Sequence, residues 1–250
     1  MLKINRNFKK IFWTIFASLS VLVLVFCLVQ KKPKEFSRSR IALIDKVGEN
    51  YIFRGSNPAV TKNGKKAFAY DELTYYFKDA LRQSGKRLDD YYLVDISLLD
   101  LDEYYTIRRE KDFFAEHPND GAIINVSTIS PSLLLERSAD SNIFTKYLTD
   151  TYGIWLTKQL NKIHEIATQQ TDKPIIIYIH CNGGRDRTGL MAAGYRMLFN
   201  DANLSQAISQ NIADAGRNSE HLYGKAINSY CIYVKQNYNK PDDYCAGAKK

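Results

Sequence analysis

The ten residues 180–189, HCNGGRDRTG, place a thiol and a guanidinium at a spacing that suits chemistry on a phosphate group. Cys181 supplies a sulfur that is a strong nucleophile once it is ionised. Arg187 supplies a planar fork of N–H donors that matches two phosphate oxygens. The hydroxyl of Thr188 is suited to assist the sulfur when a covalent intermediate breaks down. These three side chains therefore predict a catalytic loop.

The residues on either side of this loop predict the elements that position it. The apolar run PIIIYI at 174–179 predicts a buried strand, and residues 190–199 predict a helix. An all-apolar strand must be covered on both faces, and strands alternate with helices along the chain. We therefore predict an α/β domain with a central, mostly parallel sheet flanked by helices. Open sheets of this kind bind ligands at the carboxyl ends of their strands.

The loop between strand and helix is suited to binding an anion. Backbone N–H groups that curl into a helix N-terminus converge on negative charge, and the helix dipole adds to the effect. Glycines supply the backbone freedom that such a curl needs. The same field should lower the pKa of Cys181 from an ordinary value of about 8.5. The predicted substrate-binding residues are Asn182, Gly183, Gly184 and Arg185.

These residues resemble a known active-site loop. His180, Cys181, five further residues, Arg187 and Thr188 resemble the C-x5-R-[ST] loop of the protein tyrosine phosphatase superfamily. GRDRTG is similar to the loop of bacterial tyrosine and lipid phosphatases and of phosphoinositide phosphatases, which reads roughly G-K-D-R-T-G. The resemblance implies hydrolysis of phosphate monoesters through a phosphocysteine, without a metal or other cofactor. The substrate would be a phosphoinositide or a phosphorylated protein, with phosphotyrosine or dual specificity.

A second segment supports the resemblance more weakly. Residues 51–58, YIFRGSNP, resemble the Y-R-S-x-x-P segment of bacterial members, in which the arginine is often structural. We therefore leave Arg54 out of the catalytic set.

Two other functions use a similar loop: a catalytically silent, membrane-tethered phosphate-binding module and a rhodanese-like sulfurtransferase. Cys181 could also be a buried structural cysteine.

Three aspartates compete to protonate the leaving group. Asp186 lies inside the loop, and the matching residue of GKDRTG-type relatives is thought to be the acid; its alternative role is structural. Asp150 precedes a predicted helix, and Asp140 lies in a predicted loop at 131–150. A donor must lie within hydrogen-bond reach of the leaving oxygen. Arg185 adds a charge that suits a polyanionic headgroup, or it points to solvent.

The net charge of +8 is confined to the N-terminus. Residues 1–40 carry nine basic side chains and one acidic side chain, so the remaining 210 residues are formally neutral. A protein that binds a nucleic-acid backbone needs a basic face on its folded part. The charge distribution therefore excludes nucleic acid as a partner.

The N-terminus predicts a membrane anchor. Residues 11–29 form an uncharged apolar run of nineteen residues, long enough to cross a bilayer of about 30 Å as a helix. It lies between the basic segment 1–10 and a basic linker at 30–40, with the phosphatase domain at 41–250. Because no small-residue cleavage site follows, an uncleaved single-pass anchor is favoured over a signal peptide, which would give an exported protein. Basic residues flank both ends, so the charges do not orient it.

The rest of the chain predicts ordinary elements. Asp100, Asp102 and Glu103 are interpreted as a solvated strand-to-helix turn, since no His or Cys accompanies them as a metal ligand. Cys231 and Cys245 are interpreted as two unlinked thiols. The predicted helices are 70–84, 153–169, 203–215 and 219–238, with 107–117 helical or irregular, and the further strands are 91–99 and 121–129. In the second helix, Ile154, Leu160, Ile163 and Ile166 are predicted core positions.

Overall fold

The computed structural model describes residues 36–83, 85, 87–128 and 146–247. The strands among them are β1 (Ala42–Val47), β2 (Asn50–Ser56), β3 (Ala59–Lys62), β4 (Lys65–Phe68), β5 (Tyr92–Ser97), β6 (Gly121–Asn125) and β7 (Ile175–Cys181). The α-helices are α1 (Tyr70–Gln83), α2 (Tyr104–Glu116), α3 (Gly153–Ala167), α4 (Asp186–Phe199), α5 (Leu204–Ala215) and α6 (His221–Asn237). The predicted helices and strands are therefore present within a few residues of their expected bounds.

Strand β7 lies at the centre of a five-stranded sheet with the order β1-β2-β7-β5-β6. Strands β2, β7, β5 and β6 run parallel, and β1 pairs with β2 in the antiparallel sense. Strands β3 and β4 form a separate hairpin. This confirms the prediction of one α/β domain with a mostly parallel central sheet.

The side chains of β7 alternate between two cores. Ile177 and Ile179 pack with the core that contains α3, α4 and α6, whereas Ile176 and Tyr178 pack with α1 through Phe77. Every residue of β7 is buried. Because both sheet faces are covered, the end of β7 is a rigid platform for the loop that follows it.

Helix α3 is amphipathic as predicted, but one of its predicted core positions is wrong. Leu156, Leu160 and Ile163 are buried, and Ile166 is partly buried against the same core. Ile154 is 60% exposed. The buried stripe follows the spacing of positions 156, 160, 163 and 167, and Ile154 lies outside that stripe.

A disulfide joins Cys231 to Cys245, so the prediction of two unlinked thiols is wrong. The C-terminal 3-10 turn Asp242–Cys245 folds back and brings the two Cα atoms to 5.8 Å, a separation that suits a disulfide. The hydroxyl of Tyr244 holds this turn by donating to the carbonyls of Met197 and Ala202. This folding back is a tertiary contact that the cysteine spacing does not reveal.

The predicted anchor at 11–29 lies outside the described residues, as do 1–10 and most of the predicted linker. Within the described part of the chain, no helix has the length and apolar character needed to cross a membrane. The last residues of the predicted linker pack on the domain: the N–H of Phe36 donates to the Ala59 carbonyl, and the N–H of Ser37 donates to Ser56 Oγ. The folded part therefore begins before Ile41.

Candidate active site

The predicted loop lies where β7 ends and α4 begins. Cys181 is the last residue of β7, is 3% exposed, and is the free thiol among the cysteines that the structure describes. Gly184 has a φ of 65°, and a Cβ there would lie 2.6 Å from the Gly55 carbonyl oxygen. A glycine is therefore required both by the backbone conformation and by the close approach of β2.

The loop lowers the pKa of the Cys181 thiol. Burial alone raises this pKa, but the charge of Arg187, a hydrogen bond from the Thr188 hydroxyl and backbone N–H groups of Thr188 and Gly184 outweigh it. All of these groups stabilise the thiolate relative to the thiol. Cys181 is therefore suited to nucleophilic attack near neutral pH.

Arg187 is held by a carboxylate fork. Its Nη1 donates to Glu103 Oε2 at 2.6 Å, and its Nη2 donates to Glu103 Oε1 at 2.9 Å. Nη1 also contacts Asp100 Oδ2 at 3.2 Å and the Leu98 carbonyl at 2.8 Å. Burial lowers the pKa of Arg187, but the bonds to Glu103 and the charge of Cys181 raise it overall. Among the described residues, no hydrogen bond engages Nε, so that edge of the guanidinium is suited to a phosphate.

The interpretation of Asp100 and Glu103 as a solvated turn is wrong. Asp100 is 5% exposed and Glu103 is 2% exposed. The two residues form a capping box on the 3-10 turn Leu101–Glu103, which follows β5. Asp100 Oδ1 also accepts from Ser127 Oγ at 2.8 Å and from the N–H of Thr128 at 3.2 Å. Their position after the carboxyl end of a parallel strand was the signal that could have placed them at the site.

Arg54 supports the loop from beneath, which agrees with leaving it out of the catalytic set. The side chain is fully buried; its Nη2 donates to the Gly184 carbonyl at 2.9 Å and its Nη1 to Asn211 Oδ1. Asn211 in turn donates to the Gly189 carbonyl at 2.9 Å. These bonds fix the loop to β2 and α5, so the loop is preorganised.

Two further arginines lie at the rim of the loop. Arg40 Nη1 donates to the Gly183 carbonyl at 2.6 Å, and Arg185 Nε donates to the Ala215 carbonyl at 3.3 Å. Arg40 is close enough to Arg185 and Arg217 for their charges to lower its pKa, after the larger effect of burial. Sequence reasoning missed Arg40 because it lies 143 positions from Gly183 in the chain.

Asp186 makes an ion pair on the first turn of α4. Its Oδ1 accepts from Arg217 Nη1 at 2.9 Å and from the N–H of Glu220 at 3.0 Å, and its Oδ2 accepts from Arg217 Nη2 at 3.1 Å. Burial raises the pKa of Asp186, but the bonds from Arg217 and Glu220 lower it overall. A carboxyl group with a lowered pKa is ionised at neutral pH and holds no proton to donate.

Of the other two candidate acids, the structure describes only Asp150. Asp150 is exposed and lies in the π-helical turn Leu148–Tyr152, so residues 146–150 of the predicted loop are helical. Asp140 lies outside the described residues. The last described residue before the segment that contains Asp140 is Thr128. The N–H of Thr128 donates to Asp100, and Asp100 accepts a hydrogen bond from Arg187. The identity of the acid stays a prediction.

We expect Asp186→Asn to reduce turnover about tenfold, and by a similar factor for poor and activated leaving groups. The reason is that the Arg217 ion pair positions the first turn of α4, and loss of an orienting contact costs on the order of 10–100-fold. The measurement is kcat against aryl phosphates that differ in the pKa of the released phenol.

The matched variant is Arg217→Gln. If the ion pair is structural, Asp186→Asn, Arg217→Gln and the double variant should lose kcat to a similar extent, because each change breaks the same interaction. If Asp186 is the acid, its variant alone should lose about 10²–10⁴-fold on poor leaving groups and little on activated ones. Asp140→Asn and Asp150→Asn are compared by the same criterion.

Fold and loop together define a cysteine-type phosphatase. A family model described as "Tyrosine phosphatase family" matches residues 47–201, more than half of the chain. This protein belongs to that tyrosine phosphatase family. Among solved structures, the Siw14 catalytic core is similar at 14% identity, over 88% of this chain and 100% of that chain, with a TM-score of 0.33. That likeness is too distant to carry an argument, and no curated protein matches.

Proposed function

We propose that this chain hydrolyses phosphate monoesters by attack of Cys181 on phosphorus. The observation that carries the proposal is one loop that holds both a thiol with a lowered pKa and the Arg187 guanidinium. The S–P bond forms as the P–O bond to the leaving group breaks, and the leaving oxygen takes a proton from an acid. Water then attacks the phosphocysteine, and the sulfur departs as a thiolate.

The remaining residues of the loop would stabilise the transferred group. Backbone N–H groups from Asn182 to Asp186 and the free edge of Arg187 would hold the phosphoryl oxygens as charge redistributes. The Thr188 hydroxyl, whose interaction with the sulfur lowers the pKa of Cys181, would stabilise the leaving thiolate in the second step. None of these roles calls for a metal ion or other cofactor.

For the substrate, we propose a phosphoinositide rather than a phosphotyrosine protein. Arg40 and Arg185 place two guanidinium groups at the rim of the loop, beyond the one that contacts the reacting phosphate. A headgroup with several phosphates can use these charges, whereas a phosphotyrosine side chain carries one phosphate. The predicted anchor at 11–29 would hold the domain beside such a headgroup.

The test is phosphate release by the full-length chain in detergent micelles or vesicles. The panel contains phosphoinositides of different phosphate number, a phosphotyrosine peptide and an aryl phosphate. We expect Arg185→Gln to reduce kcat/KM for phosphoinositides about tenfold, the value of one charge-assisted hydrogen bond, and to change the aryl phosphate little. Arg108→Gln, on the exposed face of α2, is the matched control.

Preferred hydrolysis of the phosphotyrosine peptide would overturn the lipid proposal and leave the phosphatase proposal standing. Phosphate binding without turnover would support the silent binding module instead. Transfer of sulfur from thiosulfate to cyanide would support the sulfurtransferase.

A further inference from the structure

Three exposed leucine and tyrosine side chains lie beside the catalytic loop. Leu101 is 74% exposed, Tyr105 is 52% exposed and Tyr104 is 40% exposed. The N–H of Tyr104 donates to the Leu101 carbonyl, and the rings of Tyr104 and Tyr105 lie 5.7 Å apart. The three side chains are therefore neighbours, and we call Leu101, Tyr104 and Tyr105 the rim patch.

The rim patch shares its backbone with the carboxylate that holds Arg187. It lies on the turn Leu101–Glu103 and on the first turn of α2, directly after β5. Glu103 accepts the two parallel hydrogen bonds from Arg187. This segment therefore directs a carboxylate inward to Arg187 and leaves large apolar side chains exposed next to the site. An exposed cluster of this kind is a candidate interaction surface.

The N-terminal part of the chain joins the domain at the same edge of the sheet. The N–H of Ser37 donates to Ser56 Oγ, and Ser56 is opposite Cys181 in the pairing of β2 with β7. Arg40, three residues further on, donates to the Gly183 carbonyl of the loop. This entry segment therefore borders the loop on the β2 side, and the rim patch follows β5 on the other side of β7.

The length of chain before the entry segment limits the distance between the domain and a bilayer. Val29 ends the predicted anchor, and Phe36, seven positions later, donates its N–H to the Ala59 carbonyl on the domain. Seven residues span at most about 25 Å when fully extended. An anchor at 11–29 would therefore hold the loop, rather than the opposite end of the sheet, next to the membrane surface.

The charge beside the loop suits an anionic bilayer. Arg38 is exposed, and Arg40 and Arg185 lie at the rim of the loop. Basic side chains are attracted to anionic headgroups, and tyrosine and leucine side chains enter the interface between headgroups and acyl chains. A partner protein could also cover an apolar patch, but the entry point of the chain and the basic side chains favour the bilayer.

We propose that the rim patch docks on the surface of an anionic lipid bilayer, with the catalytic loop facing the headgroups. Leu101, Tyr104 and Tyr105 enter the interface, while Arg38 and Arg40 contact anionic headgroups. The predicted anchor brings the domain to the membrane, and the rim patch sets its orientation there. The purpose of docking rests on the proposed lipid substrate, but docking itself needs no turnover and is tested without it.

The first test measures the depth of the rim patch in a bilayer. Tyr104→Trp and Tyr238→Trp are made in the full-length chain with Trp13→Phe, so that the predicted anchor adds no tryptophan signal. Subtracting the signal of the Trp13→Phe chain removes the contribution of Trp155. The vesicles contain phosphatidylcholine with about one quarter phosphatidylglycerol, which supplies the anionic surface. We expect lipids with bromine on the upper acyl chain to quench the new tryptophan of Tyr104→Trp and not that of Tyr238→Trp.

Tyr238 is the matched control because it has a similar exposure at the far end of the domain. It is 43% exposed and directly follows α6, which begins beside the loop, where the N–H of Glu220 donates to Asp186. A helix of 17 residues is about 25 Å long. Equal quenching of the two variants, or no quenching of Tyr104→Trp, would overturn the proposal.

The second test removes apolar side chains and leaves Glu103 in place. The double variant Leu101→Ser, Tyr105→Ser should release phosphate from a phosphoinositide in these vesicles about tenfold more slowly, because each large apolar side chain contributes roughly that factor to binding. Release from a soluble aryl phosphate should stay within about twofold, as for other exposed substitutions. A similar loss on both substrates would show that the turn acts on Arg187 and would count against docking.

Two further results separate this proposal from its alternatives. If the chain releases no phosphate from phosphoinositides, the lipid substrate is wrong, and quenching of Tyr104→Trp alone decides whether the rim patch docks. Dimers in detergent that the double variant dissociates, together with no quenching in vesicles, would assign the rim patch to a second copy of this chain and overturn docking on the bilayer.

Discussion

Replacing Cys181 with serine should abolish phosphate release while preserving phosphate binding. The hydroxyl that replaces the thiol is far harder to ionise, and the loop that lowers the pKa of Cys181 cannot bring a serine hydroxyl near neutrality. Loss of a nucleophile costs on the order of 10⁴–10⁶-fold in kcat. The measurement is single-turnover phosphate release together with binding of vanadate or inorganic phosphate by calorimetry.

Preserved binding separates this result from misfolding. Cys181 is buried at the end of β7, and serine is slightly smaller, so the loop and its amide donors should persist. Turnover within tenfold of the unmodified chain would contradict the proposed phosphocysteine route. Loss of both binding and turnover would call for a check of the fold before any conclusion about the nucleophile.

Arg187→Lys should reduce kcat/KM about 10²–10³-fold, although the positive charge is retained. A lysine is a point charge, and it cannot hold the Glu103 carboxylate by two parallel bonds while presenting a second edge to phosphate. Removal of one preorganised donor to a developing charge costs about this factor. The measurement is steady-state kinetics with separate kcat and KM values.

Glu103→Gln is the matched comparison for Arg187→Lys. It keeps the shape of the fork but removes the charge, so Arg187 should be less well oriented, and we expect a loss of about 10–100-fold. If Arg187 acts only by its charge, Arg187→Lys should retain most activity and Glu103→Gln should change little. That outcome would contradict the bidentate geometry.

The strand, loop and helix from 174 to 199 could be predicted because the signals are local. An apolar run, glycines at a tight curl and a helix pattern all lie within the same 26 residues. Gly184 illustrates this, since its positive φ agrees with the backbone freedom that the loop was predicted to need, whereas its close contact with β2 is known only from the structure. The alternation of strand and helix patterns predicted the fold class, but the order of the strands in the sheet comes from the structure.

The partners of the loop could not be predicted because they come from distant parts of the chain. Glu103 lies 84 positions from Arg187, and Arg217 lies 31 positions from Asp186. The acidic residues of segment 100–103 have the composition of a solvated turn. Only the fold shows that Arg187 binds Asp100 and Glu103 there. Which carboxyl group holds a proton depends on these same contacts, so the general acid cannot be read from the loop alone.

The disulfide between Cys231 and Cys245 has a consequence for the compartment in which the chain matures. Such bonds form and persist outside reducing cytosol. A disulfide that persists in the cell would therefore favour an oxidising compartment for this domain. Cys181 is only 3% exposed, and this burial would protect its thiol from oxidation in such a compartment. Among the cysteines that the structure describes, it is the one that must stay reduced.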